Sequence, residues 1–139
     1  MDKKIIAYLK KNNVLTIATS INNQPYCANC YYVFDELNFQ FIFLSDESTR
    51  HITEALENNK IAGTVTTDNK SIAKIQGVQF VGEFIVPDEL EQAVFYEVYY
   101  AKYPFARAKP SKIWAIKLSF IKMTDNTLGF GKKLRWERS

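Results

Sequence analysis

The segment KIWAIKLSFIKMTD, residues 112–125, is the feature that most narrows the possible folds. Hydrophobic side chains recur in it at every second position, which is the period of a β-strand rather than of a helix. We expect two faces, one with Ile113, Ala115, Lys117, Ser119, Ile121 and Met123, the other with Trp114, Ile116, Leu118, Phe120 and Lys122. A chain that contains this strand folds around a β-sheet.

The remaining strand patterns are shorter and are separated by turn residues. Residues 14–45 read as a three-strand meander that turns at NNQP and again at DELN. KIAGTVTT predicts a fourth strand, and IAKIQGVQFVGEFIV a fifth, with a bulge or bend at Gly77 and Gly82. About seven strands, mostly antiparallel, indicate a closed or nearly closed β-barrel.

Helical patterns flank these strands, so the fold class is α+β and mainly β, with two or three helices. A short amphipathic helix opens the chain, and a second is expected from Glu47 to Asn58. The longest begins after Asp88, has Glu91 at the capping-box position, and ends near Lys102. It has two apolar surfaces: Leu90, Val94, Val98 and Ala101 on one, Phe95, Tyr96, Tyr99 and Tyr100 on the other. The tyrosines either shield the helix from water or form a contact with a second subunit.

The length and the net charge of the chain limit which class of protein it can belong to. The 139 residues suit a single domain, residues 1–139. The net charge of +3 is small, and basic residues do not alternate with aromatic ones, which counts against nucleic-acid binding through a barrel face. No signal peptide or apolar run of membrane-spanning length is visible, so we expect a soluble cytoplasmic protein without a membrane partner.

The two cysteines lie in CANC, as Cys27 and Cys30. This spacing occurs in redox pairs and in zinc sites, but a zinc site needs further ligands and the chain has only one histidine. The motif lies in a strand pattern, where residues three apart point to opposite faces. We therefore expect two buried, reduced cysteines and no metal site.

The segment LSDESTRHITEAL, residues 44–56, allows two interpretations. The first turn of a helix leaves N–H groups unpaired and carries a partial positive charge, so Thr49, Arg50 and His51 are placed to hold an anion. Alternatively, Ser45 or Asp46 caps the helix and Arg50 pairs with the glutamate four residues on. Asp46 and Glu47 also repel an anion. The residues alone leave both interpretations open.

Together these segments resemble a known family over nearly the whole chain. CANCYYVFD and KMTDNTLGFGKK resemble the YhbP-like family of small bacterial proteins, and the barrel pattern with FLSDESTRH resembles the wider FMN-binding split-barrel superfamily. The best-known members of that superfamily are pyridoxamine 5′-phosphate oxidases. The resemblance implies a split-barrel homodimer with FMN between the subunits.

The resemblance also implies which residues bind the cofactor. The second strand would run along the flavin through its backbone groups, and the third strand would end in a hydroxyl near the phosphate. Residues of other strands would line the rest of the slot that holds the flavin ring. The candidates are Cys27, Ala28, Asn29, Cys30, Tyr31, Ser45, Thr49, Arg50, His51, Ala62, Gln76 and Trp114.

Departures from the oxidases limit the functional prediction. His51 stands where they carry lysine, and CANCYY lacks their R-x-x-x-L-K pattern, which argues against pyridoxamine phosphate oxidation. No catalytic acid–base set is visible, so any chemistry would be the flavin's. We expect a small FMN-dependent oxidoreductase with a nicotinamide donor. The alternative is a barrel that has lost flavin and acts as a ligand-binding or regulatory module.

Overall fold

A computed structural model describes all residues, 1–139. The helices are α1 (Lys3–Lys11), α2 (Arg50–Glu57) and α3 (Glu89–Lys102). The strands are β1 (Val14–Ile21), β2 (Gln24–Asp35), β3 (Gln40–Leu44), β4 (Lys60–Thr66), β5 (Gln76–Ile85), β6 (Ile113–Asp125) and β7 (Lys133–Glu137). None of the helices combines the length and the apolar character that crossing a bilayer requires.

The seven strands form one antiparallel sheet that closes on itself. Their order is β3-β2-β1-β4-β5-β6-β7, and an additional pairing joins β3 to β6. On the side away from β5, β6 pairs first with β3, through residues 113–117, and then with β7, through residues 120–124. The predicted split β-barrel is therefore confirmed, with six strands in the ring and β7 beside it.

The expectation of one unbroken alternation in β6 is wrong. Its barrel-facing residues change parity along the strand: Ile116, Leu118, Ile121 and Met123. The register between β5 and β6 shifts at Gly82, which leaves Ser119 as an extra residue without a cross-strand partner. A Cβ on Gly82 would lie 2.6 Å from the carbonyl oxygen of Lys117, so the bulge requires glycine there. Gly77 pairs in regular register, and no bend occurs at that position.

Two hydrophobic clusters fill the molecule. The larger lies inside the barrel, where the rings of Tyr32, Phe41 and Phe80 are in contact. The smaller lies between the sheet and α3 and contains Val33, Ile42, Phe95, Tyr99, Ile113 and Ala115. The aromatic surface of α3 is thus the packed one, while its aliphatic stripe is exposed.

Local hydrogen bonds determine where helices α2 and α3 begin. In α3, Asp88 and Glu91 form the expected capping box. Helix α2 begins at Arg50, three residues later than predicted. The carboxylate of Asp46 accepts the N–H of Ser48, and the carbonyl of Asp46 accepts the N–H of Thr49. Residues 46–49 are therefore held in a turn that brings the first turn of α2 close to the end of β3.

Candidate functional site

One edge of β2 is unpaired over the first part of the strand. The register with β3 covers only Tyr32–Asp35, whereas pairing with β1 extends back to Gln24. The N–H of Tyr32 donates to the carbonyl of Asn13, on the β1 side. Because alternate residues direct their backbone groups to the same side, those of Cys27 and Asn29 point away from β1. The structure therefore offers open main-chain donors and acceptors along β2.

The side chains of this segment alternate between solvent and barrel. Cys27, Asn29 and Tyr31 are exposed, while Ala28 and Cys30 point inward. The two cysteines lie on opposite faces and form no disulfide, as predicted, but Cys27 is exposed rather than buried. Burial raises the pKa of the Cys30 thiol to about 11, so this thiol stays protonated.

Beside the open edge lies a sheet surface made of small side chains, which we call the outer face. It consists of two cross-strand rows, Cys27–Ala18–Ala62–Val81 and Asn29–Thr16–Thr64–Gln79. The hydroxyl of Thr16 donates to the side chain of Asn29 at 2.8 Å. The apolar helix residues that are buried lie elsewhere, in the barrel or in the smaller cluster. A partly apolar and uncovered face of this kind is typical of a partner surface.

The start of α2 lies at one end of this region. The N–H groups of Arg50, His51 and Ile52 make no hydrogen bond within the protein. Ser45, just after β3, has its hydroxyl 2.7 Å from Nε2 of His51 and 3.5 Å from the hydroxyl of Thr49. The structure thus brings these predicted site residues together around unpaired donors, an arrangement that suits an anion.

Arg50 pairs with Glu54, which is the alternative interpretation that the sequence left open. Its Nε donates to Glu54 at 2.8 Å, and its guanidinium lies 4.1 Å from the ring centre of Tyr26. Hydrogen bonds from Arg50 and then Thr19 lower the pKa of the Glu54 carboxyl. The Nη groups of Arg50 have no protein acceptor. The Arg50 side chain is about half exposed, so water and salt screen this pair and a phosphate can compete for the guanidinium.

His51 is buried, with 9% of its surface exposed. Its Nε2 contacts the hydroxyl of Ser45 and lies 3.7 Å from the sulfur of Cys30. Burial lowers the pKa of the imidazole, which favours the neutral ring. The neutral ring accepts from Ser45 or Cys30, or donates to Ser45, according to its tautomer.

Acidification will destabilise the protein through His51. The pKa of this ring lies below its ordinary value of 6.5 when the protein is folded, so the unfolded chain binds a proton first. The stabilisation is complete above pH 6.5 and is lost as the pH falls from 6.5 towards the folded-state pKa. Thermal midpoints between pH 7.5 and 5 will therefore fall more steeply for the wild type than for His51→Gln. An equal slope in the two proteins would contradict this assignment.

Two predicted residues lie apart from the open edge. Gln76 donates to the buried carboxylate of Asp125 at 3.1 Å, and its carbonyl accepts from Tyr8 of α1. Gln79 lies on the outer face instead, between the buried Val78 and Phe80 of β5. Gln76 thus lies beside α1, apart from the open edge, and its role in lining a flavin stays a prediction.

Trp114 is the second of these residues. Its ring lies in the barrel core against Phe84, and Nε1 donates to the carbonyl of Ser45 at 2.8 Å. It therefore holds the Ser45 backbone from inside rather than lining an open surface. No group of three or more histidine, cysteine or acidic side chains is arranged to hold a metal ion.

The chain is similar in sequence to bacterial proteins. No family model matches the chain. It is 44% identical over 131 residues to a UPF0306 protein of Klebsiella pneumoniae (strain 342), a match that covers 94% of this chain and 89% of the relative. It is 41% identical over 134 residues to UPF0306 protein YhbP of Salmonella arizonae, covering 96% and 91%.

Solved structures share the fold at low sequence identity. A haem-binding protein from Mycobacterium smegmatis matches 94% of this chain and 56% of its own, with a TM-score of 0.75 and 14% identity. An FAD-binding protein from Mesorhizobium loti matches 88% and 94%, with a TM-score of 0.72 and 14% identity. A putative pyridoxamine 5′-phosphate oxidase from Listeria innocua matches 86% and 94%, with a TM-score of 0.68 and 14% identity.

Proposed function

This chain belongs to the UPF0306 family, and we propose that it forms a homodimer that binds FMN along the open edge of β2. The observation that carries the proposal is the position of this edge next to the first turn of α2. Cys30 of β2 and His51 of α2 are in contact, so both elements can bind one ligand. The main-chain groups of the edge can hydrogen-bond to the polar atoms of a flavin ring, and the unpaired N–H groups at the start of α2 can bind the phosphate of FMN.

The known binding properties of structural neighbours support a flat cofactor. Two neighbours are FAD-binding proteins, from Mesorhizobium loti and Mycobacterium smegmatis, and one is a haem-binding protein. Haem fits this chain less well. Its one histidine is buried, with Nε2 hydrogen-bonded to Ser45, and does not present a free imidazole to an iron atom. Main-chain groups along an edge favour a flavin instead.

A second copy of the chain would supply the other wall of the slot. In one copy the open edge and the outer face are a surface rather than a cavity, and a flavin there would keep much of its ring in water. The small side chains of Ala18 and Ala62 allow another sheet to approach closely. A dimer formed through the outer face would enclose the ring on both sides, which is how proteins usually bind such ligands.

We propose that the dimer acts as a flavin-dependent oxidoreductase with a nicotinamide donor. When bound, FMN supplies hydride chemistry that the side chains present cannot supply. The chain's own residues orient the ring and limit access to it. Tyr31, 59% exposed at the end of the open edge, packs edge-on against Tyr103. These two rings give a planar donor an aromatic wall.

The rival is a barrel without flavin that acts as a binding or regulatory module. The carboxylates of Asp46 and Glu47 lie before α2, and burial disfavours a charged His51, so both features weaken phosphate binding. Titration of the purified protein with FMN, followed by flavin fluorescence, separates the two functions. Failure to bind at high FMN concentration would exclude the flavoprotein.

Arg50→Ala will weaken FMN binding about tenfold and leave riboflavin binding nearly unchanged, because only FMN carries the phosphate. Glu54→Gln will strengthen FMN binding, since it removes the carboxylate that now pairs with Arg50. Arg107→Ala is the matched control, because this arginine lies over Tyr100 on another part of the molecule. Equal losses for FMN and riboflavin in Arg50→Ala would show that Arg50 does not bind the phosphate.

A further inference from the structure

We infer a second ligand site, for a medium-chain fatty acid, in the groove between α3 and the turn from β2 to β3. This α3 groove has a volume of about 760 Å³, within the range of small-molecule sites. Its apolar lining consists of Leu37, Phe39, Ile85, Leu90, Val94 and Phe95. The groove shares no residue with the open edge of β2 or the start of α2, so the inference is independent of the flavin.

The groove has a buried floor and apolar rims in water. Phe95 is buried in the smaller core, whereas Leu37 and Leu90 are 88% and 83% exposed. Val94 continues the rim one helical turn beyond Leu90 and is also exposed. The folded chain gains little by placing these side chains in solvent, and an alkyl chain between the rims would cover them.

The turn beneath the groove is held in place before any ligand binds. Phe39 has φ 51°, a left-handed backbone conformation that is unfavourable for a residue with a side chain. Arg138 fastens it: Nη2 donates to the carbonyls of Asn38 and Phe39 at 2.9 Å, and Nε donates to that of Leu118 at 2.7 Å. A groove fixed in this way needs little ordering when a ligand enters.

The charges of the lining favour an anionic head group. The acceptors of Arg138 are neutral carbonyls, and Lys117 makes no ion pair. The one carboxylate in the lining is Glu91, whose Oε1 accepts from the N–H of Asp88. Glu83 opposes Lys117 across the strands but lies beyond ion-pair distance. Two cations against one capping carboxylate, beside apolar walls, match a carboxylate with an alkyl tail.

The test is titration of the full chain with dodecanoate below its micelle concentration. Trp136 reports on the groove, because its ring lies 5.0 Å from that of Phe39. Dodecanoate should bind roughly tenfold more tightly than dodecan-1-ol, and dodecyltrimethylammonium more weakly than either. Leu90→Glu should weaken dodecanoate binding at least tenfold, and Lys117→Gln roughly two- to fivefold.

Two substitutions outside the groove serve as matched controls for the dodecanoate titration. Phe130→Glu and Lys133→Gln make the same kinds of change at exposed positions outside the groove, and they should bind dodecanoate like the wild type. Arg138 is left intact because it holds the turn. Thermal melts will confirm that Leu90→Glu is folded, as expected for a side chain in water.

Three outcomes would overturn the inference. Equal binding of the three amphiphiles would indicate adsorption to an apolar surface. Unchanged dodecanoate binding in Leu90→Glu would place the ligand elsewhere. A dimer that dissociates on Leu90→Glu, with no dodecanoate bound by the wild type, would show that a second copy of the chain occupies the groove.

Discussion

We expect Ala62→Arg to abolish the proposed FMN binding and to convert the proposed homodimer to a monomer. Ala62 lies exposed in the middle of the outer face, between Ala18 of β1 and Val81 of β5. A close sheet-to-sheet contact has no room there for an arginine, and burial of its unpaired charge costs several kcal/mol. The monomer should stay folded, because this side chain contributes nothing to either core. Sedimentation will report the mass, and flavin fluorescence the binding.

A control substitution separates this effect from a simple change of charge. Asp68→Arg introduces the same residue in the exposed loop after β4, and it should leave mass and FMN binding unchanged. A dimeric, FMN-binding Ala62→Arg protein would show that the outer face is not the interface. A monomeric wild type would contradict the proposed dimer directly.

Gly63→Ala will lower the free energy of unfolding by about 3 kcal/mol, or prevent folding altogether. A Cβ at this position would overlap the carbonyl oxygen of Thr16 on β1 and the ring of Phe80 in the core. The carbonyl cannot move without breaking the pairing of β1 with β4, and the ring is confined by Phe41. Relief of the overlap therefore requires separation of two strands of the barrel. Urea unfolding will measure the loss.

Gly77→Ala is the matched control on the neighbouring strand. A Cβ there would have its nearest neighbour in the hydroxyl of Thr66, at 3.4 Å, with the Thr66 Cβ and the Val65 carbonyl oxygen slightly farther away, and all three are ordinary contacts. Because alanine reduces the freedom of the unfolded chain, we expect a gain of roughly 0.4–1 kcal/mol. Equal losses at both positions would show that the cost of Gly63→Ala does not come from the overlap.

Alternation in the sequence was sufficient to predict the strands and the barrel, but not the bulge in β6. The N-terminal half of β6 is buried on both faces. Ile116 points into the barrel, while Ile113 and Ala115 pack beneath α3. Unbroken alternation would place Lys122 on the same face as Ile116 and Leu118, inside the barrel. This lysine was therefore a signal for the change of parity, and the apolar residues on both faces of the N-terminal half obscured it.

The candidate site was predictable where its residues are close in sequence. Ser45, Thr49 and His51 are joined by one turn, and a helix start after a strand implies their proximity. Local spacing did not decide between a phosphate and Glu54 as the partner of Arg50, because both are within reach of one side chain. The α3 groove could not be predicted from the sequence, because residues near 38, 90, 117 and 138 come together only in the folded chain.

The pairing of β3 with β6 also bears on how the chain folds. Residues 40–44 must find residues 113–117, so during synthesis the edge of β3 stays without its partner while about half of the protein is made. Long-range closure of this kind slows folding, and an unpaired strand edge promotes association with other chains. We expect refolding yield to depend strongly on protein concentration. A nascent chain that stalls before residue 113 should be a preferred client of chaperones.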